Sequence, residues 1–275
     1  VASLPSKYGI GAFSKEAYEF IDTLKEAGQH YWQILPLGPT SYGDSPYQSF
    51  SAFAGNPYFI DLDKLVEEGL LTKEECDSAD FGSNPRDIDY GKIYFNRFPL
   101  LRKAYERWLK DGHTAAEARE KLWSETVEYC FYMAVKNQNK GRSWTEWNED
   151  IRLQKREAME RLQYELADEA GFYAFLQMKF EEQWSALKSY ANEKGIRIIG
   201  DIPIYVALDS ADTWYHPELF QFDENREPVA VAGCPPDGFS ATGQLWGNPL
   251  YQWEYHGKTG YQWWMRAYGI QLPHV

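Results

Sequence analysis

The chain has 275 residues, 44% of them hydrophobic, and a formal net charge of −13. That length and apolar content suit a packed core and exclude global disorder, while the negative charge disfavours nucleic acid and anionic membrane surfaces as partners. No run approaches about 18 apolar residues, so no transmembrane helix is expected, and the scattered Cys76, Cys130 and Cys234 form neither a zinc pair nor a redox motif and suit a cytoplasmic setting.

Residues 14–27 predict an amphipathic helix. Ser14 caps it, Ala17, Phe20, Ile21 and Leu24 recur at helical spacing, and Gly28 stops it. Residues 31–37 predict a buried strand, followed by a loop rich in Gly, Ser, Pro and Tyr. Residues 63–195 read as charged and helical. Within them 153–192 carries good helix formers, with a break expected at Gly171. Residues 197–200 predict a parallel strand buried on both faces, with Asp201 just past its end, on the rim where barrel enzymes place their chemistry. Asp209 and Asp212 flank a helix start, where N-capping is their simplest role. The turn-rich stretch to Tyr251 has the length of a functional loop. Beyond Trp263, Gly269 and Pro273 are expected to break the helix that begins there. Three zones follow: 1–62 with the first strands and a ligand loop, 63–170 as a helical insertion, and 171–275 with a helix, a strand and a covering loop.

Two loops carry the chemical signal. Residues 41–49 (SYGDSPYQS) place two Tyr, an Asp, a Gln and three Ser together after a strand. Tyr and Trp combine a flat apolar face with a polar edge, which matches the C–H face and hydroxyl rim of a glucose ring. An ordinary turn around Pro46 would read the same way. Residues 235–251 (PPDGFSATGQLWGNPLY) add Phe239 and Trp246 on a backbone loosened by Gly238 and Gly243. Such a loop can close over a chain and exclude water, or form a small structural Ω-loop.

The residues of 3–11 (SLPSKYGIG), 31–37, 43–62 (GDSPYQSFSAFAGNPYFIDL), 195–214 (GIRIIGDIPIYVALDSADTW) and 235–251 resemble, in order and spacing, the amylomaltases, the 4-α-glucanotransferases of glycoside hydrolase family 77. The resemblance covers nearly all of residues 3–264. It implies an α/β fold, a (β/α)8 TIM barrel of which only the first strands are present, with an α-helical insertion. It implies that Tyr47 stacks on a sugar at the cleavage subsite, with Asp44, Ser45 and Gln48 as hydrogen-bonding neighbours. Asp201 would shape the same subsite, and Asp237, Gln244, Trp246 and Asn248 would belong to a mobile loop over the glucan. Tyr42 and Tyr94 would hold glucan at a secondary site. Gly238 departs from the pattern, standing where some members carry Tyr.

The implied ligands are α-1,4-glucans: maltose, maltooligosaccharides, starch or glycogen, with no metal or organic cofactor. A retaining mechanism needs two carboxyl groups about 5–5.5 Å apart. The family's nucleophile lies in an Arg-hydrophobic-Asp-His motif that this chain lacks. It is expected beyond Val275, with the acid/base later still, so the chain alone is expected to be inactive. An α-amylase-type hydrolase is disfavoured, because Ala207 stands where that rival predicts His. A non-catalytic glucan-binding protein remains the alternative from another class.

Overall fold

A computed structural model describes residues 1–41, 43–84 and 86–271. The chain opens with α1 (Lys15–Glu26) and β1 (Tyr31–Gln33). Ala17 and Ile21 bury the apolar stripe of α1, and Gly28, at φ +70, donates its N–H to the Lys25 carbonyl to close it. Ser14 occupies the cap position, but its hydroxyl donates to Glu16 Oε2 rather than accepting from the helix backbone.

The helical zone follows as α2 (Leu62–Glu67), α3 (Lys73–Asp77), α4 (Tyr90–Lys110), α5 (Ala115–Glu120), α6 (Ser124–Gln138), α7 (Glu149–Arg152), α8 (Arg156–Glu165) and α9 (Ala167–Glu193). The centre of the molecule is α9, which packs against α1, α4, α5, α6 and α8. Every residue from Ala170 to Phe180 is buried, as expected of a helix surrounded by others. It also serves the irregular segment before α2. The Gln177 amide accepts from Gly55 N and donates to Gly55 O, and Gln183 does the same for Asp61. These side chains satisfy backbone groups that no strand partner reaches.

Gly171 does not break the helix; the interruption falls at Leu166, between α8 and α9. A Cβ at Gly171 would stand 2.6 Å from Ala115 Cβ and 2.7 Å from the Tyr105 hydroxyl. The glycine is a close-approach point between helices. On propensity alone Gly171→Ala would stabilise. The packing reverses that sign: the variant is expected to lose about 1–3 kcal/mol, read as a lower urea midpoint at unchanged slope.

The chain continues with β2 (Arg197–Ile199), α10 (Ala211–Tyr215), β3 (Val231–Cys234), β4 (Gln244–Pro249), α11 (Trp253–Lys258) and α12 (Gln262–Gln271). β1 and β2 form a parallel pair with Trp32 opposite Ile198, joined through the long α-helical excursion that a parallel connection requires. β3 and β4 form an antiparallel hairpin with an irregularity between Val231 and Gly233. The expected burial of 31–37 and 197–200 is corrected. Tyr31, Leu35 and Ile199 are exposed, Ile199 at 46%, because β1 pairs with β2 alone among the described residues and burial alternates along both strands. The expected break at Gly269 is also corrected, since α12 runs through it; Pro273 lies outside the described residues. No helix among the described residues is long and apolar enough to cross a membrane.

The main core gathers α1, α4, α6 and α9 with Trp144 and Trp214. A second, smaller one joins Phe53, Val206, Phe220, Tyr251 and Trp263.

Candidate functional site

The first loop is pinched shut at its base. Thr40 and Ser49 form a β-bridge, and Ser41 N donates to Gln48 O at 2.9 Å. Its tip turns through Gly43 (φ 81) and Asp44 (φ 54), the left-handed region that Gly enters freely and Asp tolerates. Ser45 Oγ accepts from Tyr47 N at 3.3 Å. The turn presents the Tyr47 ring 44% exposed, and the ring is held at its far end: its hydroxyl donates to Asp201 Oδ2 at 2.6 Å. That bond, and burial to a lesser extent, raises the Tyr47 pKa, so the phenol remains a donor. Asp201 sits half-buried just beyond the end of β2.

Gln48 continues the clamp. Its Nε2 donates to Asn248 Oδ1 at 3.2 Å, and Asn248 Nδ2 donates to Val206 O at 2.7 Å. The first loop, the segment after β2 and strand β4 are thereby tied together. Asn248, within the 235–251 segment, is buried, with 4% exposure, near the end of β4.

The hairpin rises outward from that base. Asp237 Oδ1 accepts from Phe239 N and Ser240 N, both at 2.8 Å, and Ser240 Oγ donates to Gly243 O. Asp237 therefore shapes the turn. Phe239, 98% exposed, is at its tip. Gly238 has open space where a Cβ would project. Gln244 and Trp246 are exposed on β4, with Trp246 Nε1 donating to Gln244 Oε1 at 3.1 Å. The Trp246 ring lies 6.3 Å from Tyr205, which stacks in turn on Tyr251. Tyr205 and Val206 were not singled out from the sequence; both contacts depend on how the loop after β2 meets β4, and no local pattern encodes that.

Tyr94 belongs to a separate cavity of about 420 Å³. Tyr58, Tyr90, Phe95, Phe98 and Tyr173 share its lining, and Asp44 lines it from the first loop. Tyr42, expected as its companion, lies outside the described residues. Among the described residues no group of three or more His, Cys, Asp or Glu could hold a metal ion.

The two capping aspartates are corrected. Ser210 caps α10, accepting from Thr213 N. Asp209 instead accepts from the Tyr132 hydroxyl, Lys136 Nζ and Trp144 N. Asp212, inside α10 and buried, accepts from Ala52 N at 2.9 Å and so steadies the segment after the first loop. Burial pushes its carboxyl up to about 6, against the Ala52 N–H and nearby His216. Between pH ~4 and ~6 the folded chain keeps a proton there that the unfolded chain has released, so stability falls as pH rises through that window. Asp212→Asn keeps an acceptor for Ala52 without the charge. It is expected to flatten stability across pH 4–6 and to gain about 1–3 kcal/mol at pH 7, measured by urea unfolding at stepped pH.

The family model for 4-alpha-glucanotransferases matches residues 1–275. The chain is 53% identical over 269 residues to a 4-alpha-glucanotransferase of Clostridium butyricum, covering 96% of this chain and 55% of that protein. It is 47% identical over 282 residues to one from Thermus thermophilus, covering 99% and 55%. An amylomaltase from Streptococcus agalactiae, solved in complex with acarbose, superposes with a TM-score of 0.95 at 42% identity, covering 99% of this chain and 56% of that one. The chain thus spans about half the length of the curated relatives it matches.

Proposed function

The chain belongs to the 4-alpha-glucanotransferase family, and on that premise we propose that it supplies the glucan-binding part of an enzyme that transfers α-1,4-glucan segments between maltooligosaccharides. The observation that carries this is the Tyr47–Asp201 pair. A half-exposed ring fixed by a 2.6 Å hydrogen bond offers a preorganised platform for a sugar face. Ser45, Gln48 and Asp201 supply polar groups beside it, Gln244 and Trp246 would add theirs from β4, and Asp237 shapes the hairpin turn that would cover the glucan. Tyr94 and its cavity would hold a second stretch of glucan. The similar amylomaltase solved with acarbose supports a rim shaped for linked sugars.

On this reading β1 and β2 are neighbouring strands of a (β/α)8 barrel whose remainder lies in the part of the relatives that this chain does not span. The helical zone is an insertion on it. The complete enzyme would work by double displacement. A carboxylate forms a covalent glycosyl-enzyme while a second carboxyl protonates the leaving oxygen, and a glucan 4-hydroxyl then takes the place of water. The hairpin favours transfer by excluding water while the acceptor binds. We infer that Asp201, which accepts from the Tyr47 hydroxyl, is a supporting group and that the nucleophile belongs to another part of the complete enzyme.

Titrating the 275-residue chain with maltoheptaose, followed by tryptophan fluorescence, is expected to saturate; no change in signal or heat up to solubility would sink the glucan reading. Incubation with maltotriose is expected to release no glucose above a blank. Release would show that the chain carries its own nucleophile.

A further inference from the structure

We propose that Asn248 is a positioning residue that dictates which atom of the Gln48 amide faces the ligand. Val206 contributes a backbone carbonyl, which can only accept a hydrogen bond. Its 2.7 Å contact with Asn248 must therefore be made by the Asn248 NH2 group, which turns Oδ1 toward Gln48. An oxygen in that place demands a donor, so Gln48 must present its NH2 to Asn248. The Gln48 carbonyl oxygen is then the atom left to receive a hydrogen bond from outside the protein. Asn248 is almost wholly buried, so reversing its amide would set two carbonyl oxygens face to face without solvent to separate them.

The result is a polarity rule for the rim. Tyr47 and Gln48 are adjacent, and each is oriented by a partner far along the chain, Asp201 and Asn248 respectively. With its NH2 group turned to Asn248, Gln48 offers its carbonyl oxygen as an acceptor for a sugar hydroxyl. This rests on the glucan reading above and specifies its chemistry: the ring lying on Tyr47 points a hydroxyl hydrogen at Gln48.

The test is a double-mutant cycle on maltoheptaose affinity, measured calorimetrically on the 275-residue chain. Asn248→Ala is expected to weaken binding about tenfold. In a Gln48→Ala background the same change should weaken it by less than about twofold further, because the group that Asn248 orients is gone. Additive losses would overturn the role of Asn248 while leaving the glucan reading intact. A wild-type chain that does not bind maltoheptaose would sink both.

Gln48→Glu gives a second readout on the half-buried loop position, where misfolding is not the concern. At pH 7 its carboxylate confronts the fixed Asn248 oxygen, and binding should fall about tenfold. Near pH ~4 the carboxyl gains a proton and becomes the required donor. Affinity should then recover relative to wild type at the same pH. Wild-type affinity of Gln48→Glu at pH 7, or a loss that pH does not relieve, would overturn the proposal.

Discussion

Replacing Tyr47 by alanine is expected to weaken maltoheptaose binding about thirtyfold, the scale at which truncation of an aromatic anchor is felt. The ring is nearly half exposed, so its removal takes little from the core and the unfolding midpoint should barely move. Tyr47→Phe separates the two parts of the role. The ring stays, but Asp201 loses its donor and the ring loses its tether. An intermediate loss of about threefold to tenfold is expected. Calorimetric titration of the three chains checks the order. Equal affinities for wild type and Tyr47→Ala would remove the stacking role.

The largest stability effect is expected at Asp209. Its carboxylate meets the Lys136 ammonium at 2.5 Å; Lys136 is almost wholly buried and Asp209 largely so. The Tyr132 hydroxyl and Trp144 N–H complete its shell. Burial already lowers the Lys136 pKa against the attraction of Asp209. Asp209→Ala leaves that ammonium in the interior without its counter-ion, and a loss of about 3–5 kcal/mol is expected. The double change Lys136→Met with Asp209→Leu removes both charges and should destabilise by less than Asp209→Ala alone. Urea unfolding of the two variants decides it; a double variant less stable than the single one would show that the pair stabilises beyond neutralising itself. The network adjoins the Tyr94 cavity, since Lys136 also lines it, so on the proposed reading the same substitutions should weaken glucan binding in that cavity more than at Tyr47.

What was legible in the sequence is what depends on near neighbours. The periodicity of residues 14–27 gave α1 to within a residue or two, because an amphipathic stripe needs only the next turn of the helix. The apolar run before Asp201 located β2, because a short apolar strand bounded by glycines is a local pattern. The motifs also pointed to the family. Burial was misjudged for β2 because it is a property of what covers a strand, and apolar residues alone do not supply the cover. Gly171 was misjudged because helix propensity describes an isolated helix, whereas α9 meets Tyr105 and Ala115 there. Asp209 and Asp212 were misjudged because a carboxylate before or within a helix start is a cap only if no buried cation or backbone N–H claims it first.

By itself, then, the sequence determined α1, the helical character of the zone after residue 63 and the position of the two loops. Only the tertiary structure decided which of their residues meet. Tyr47 finds Asp201 across 154 residues and Gln48 finds Asn248 across 200. The reason is that periodicity and turn chemistry act over a few residues, while a hydrogen bond between distant side chains exists only once the packing of α9 and the two sheets has brought their backbones together.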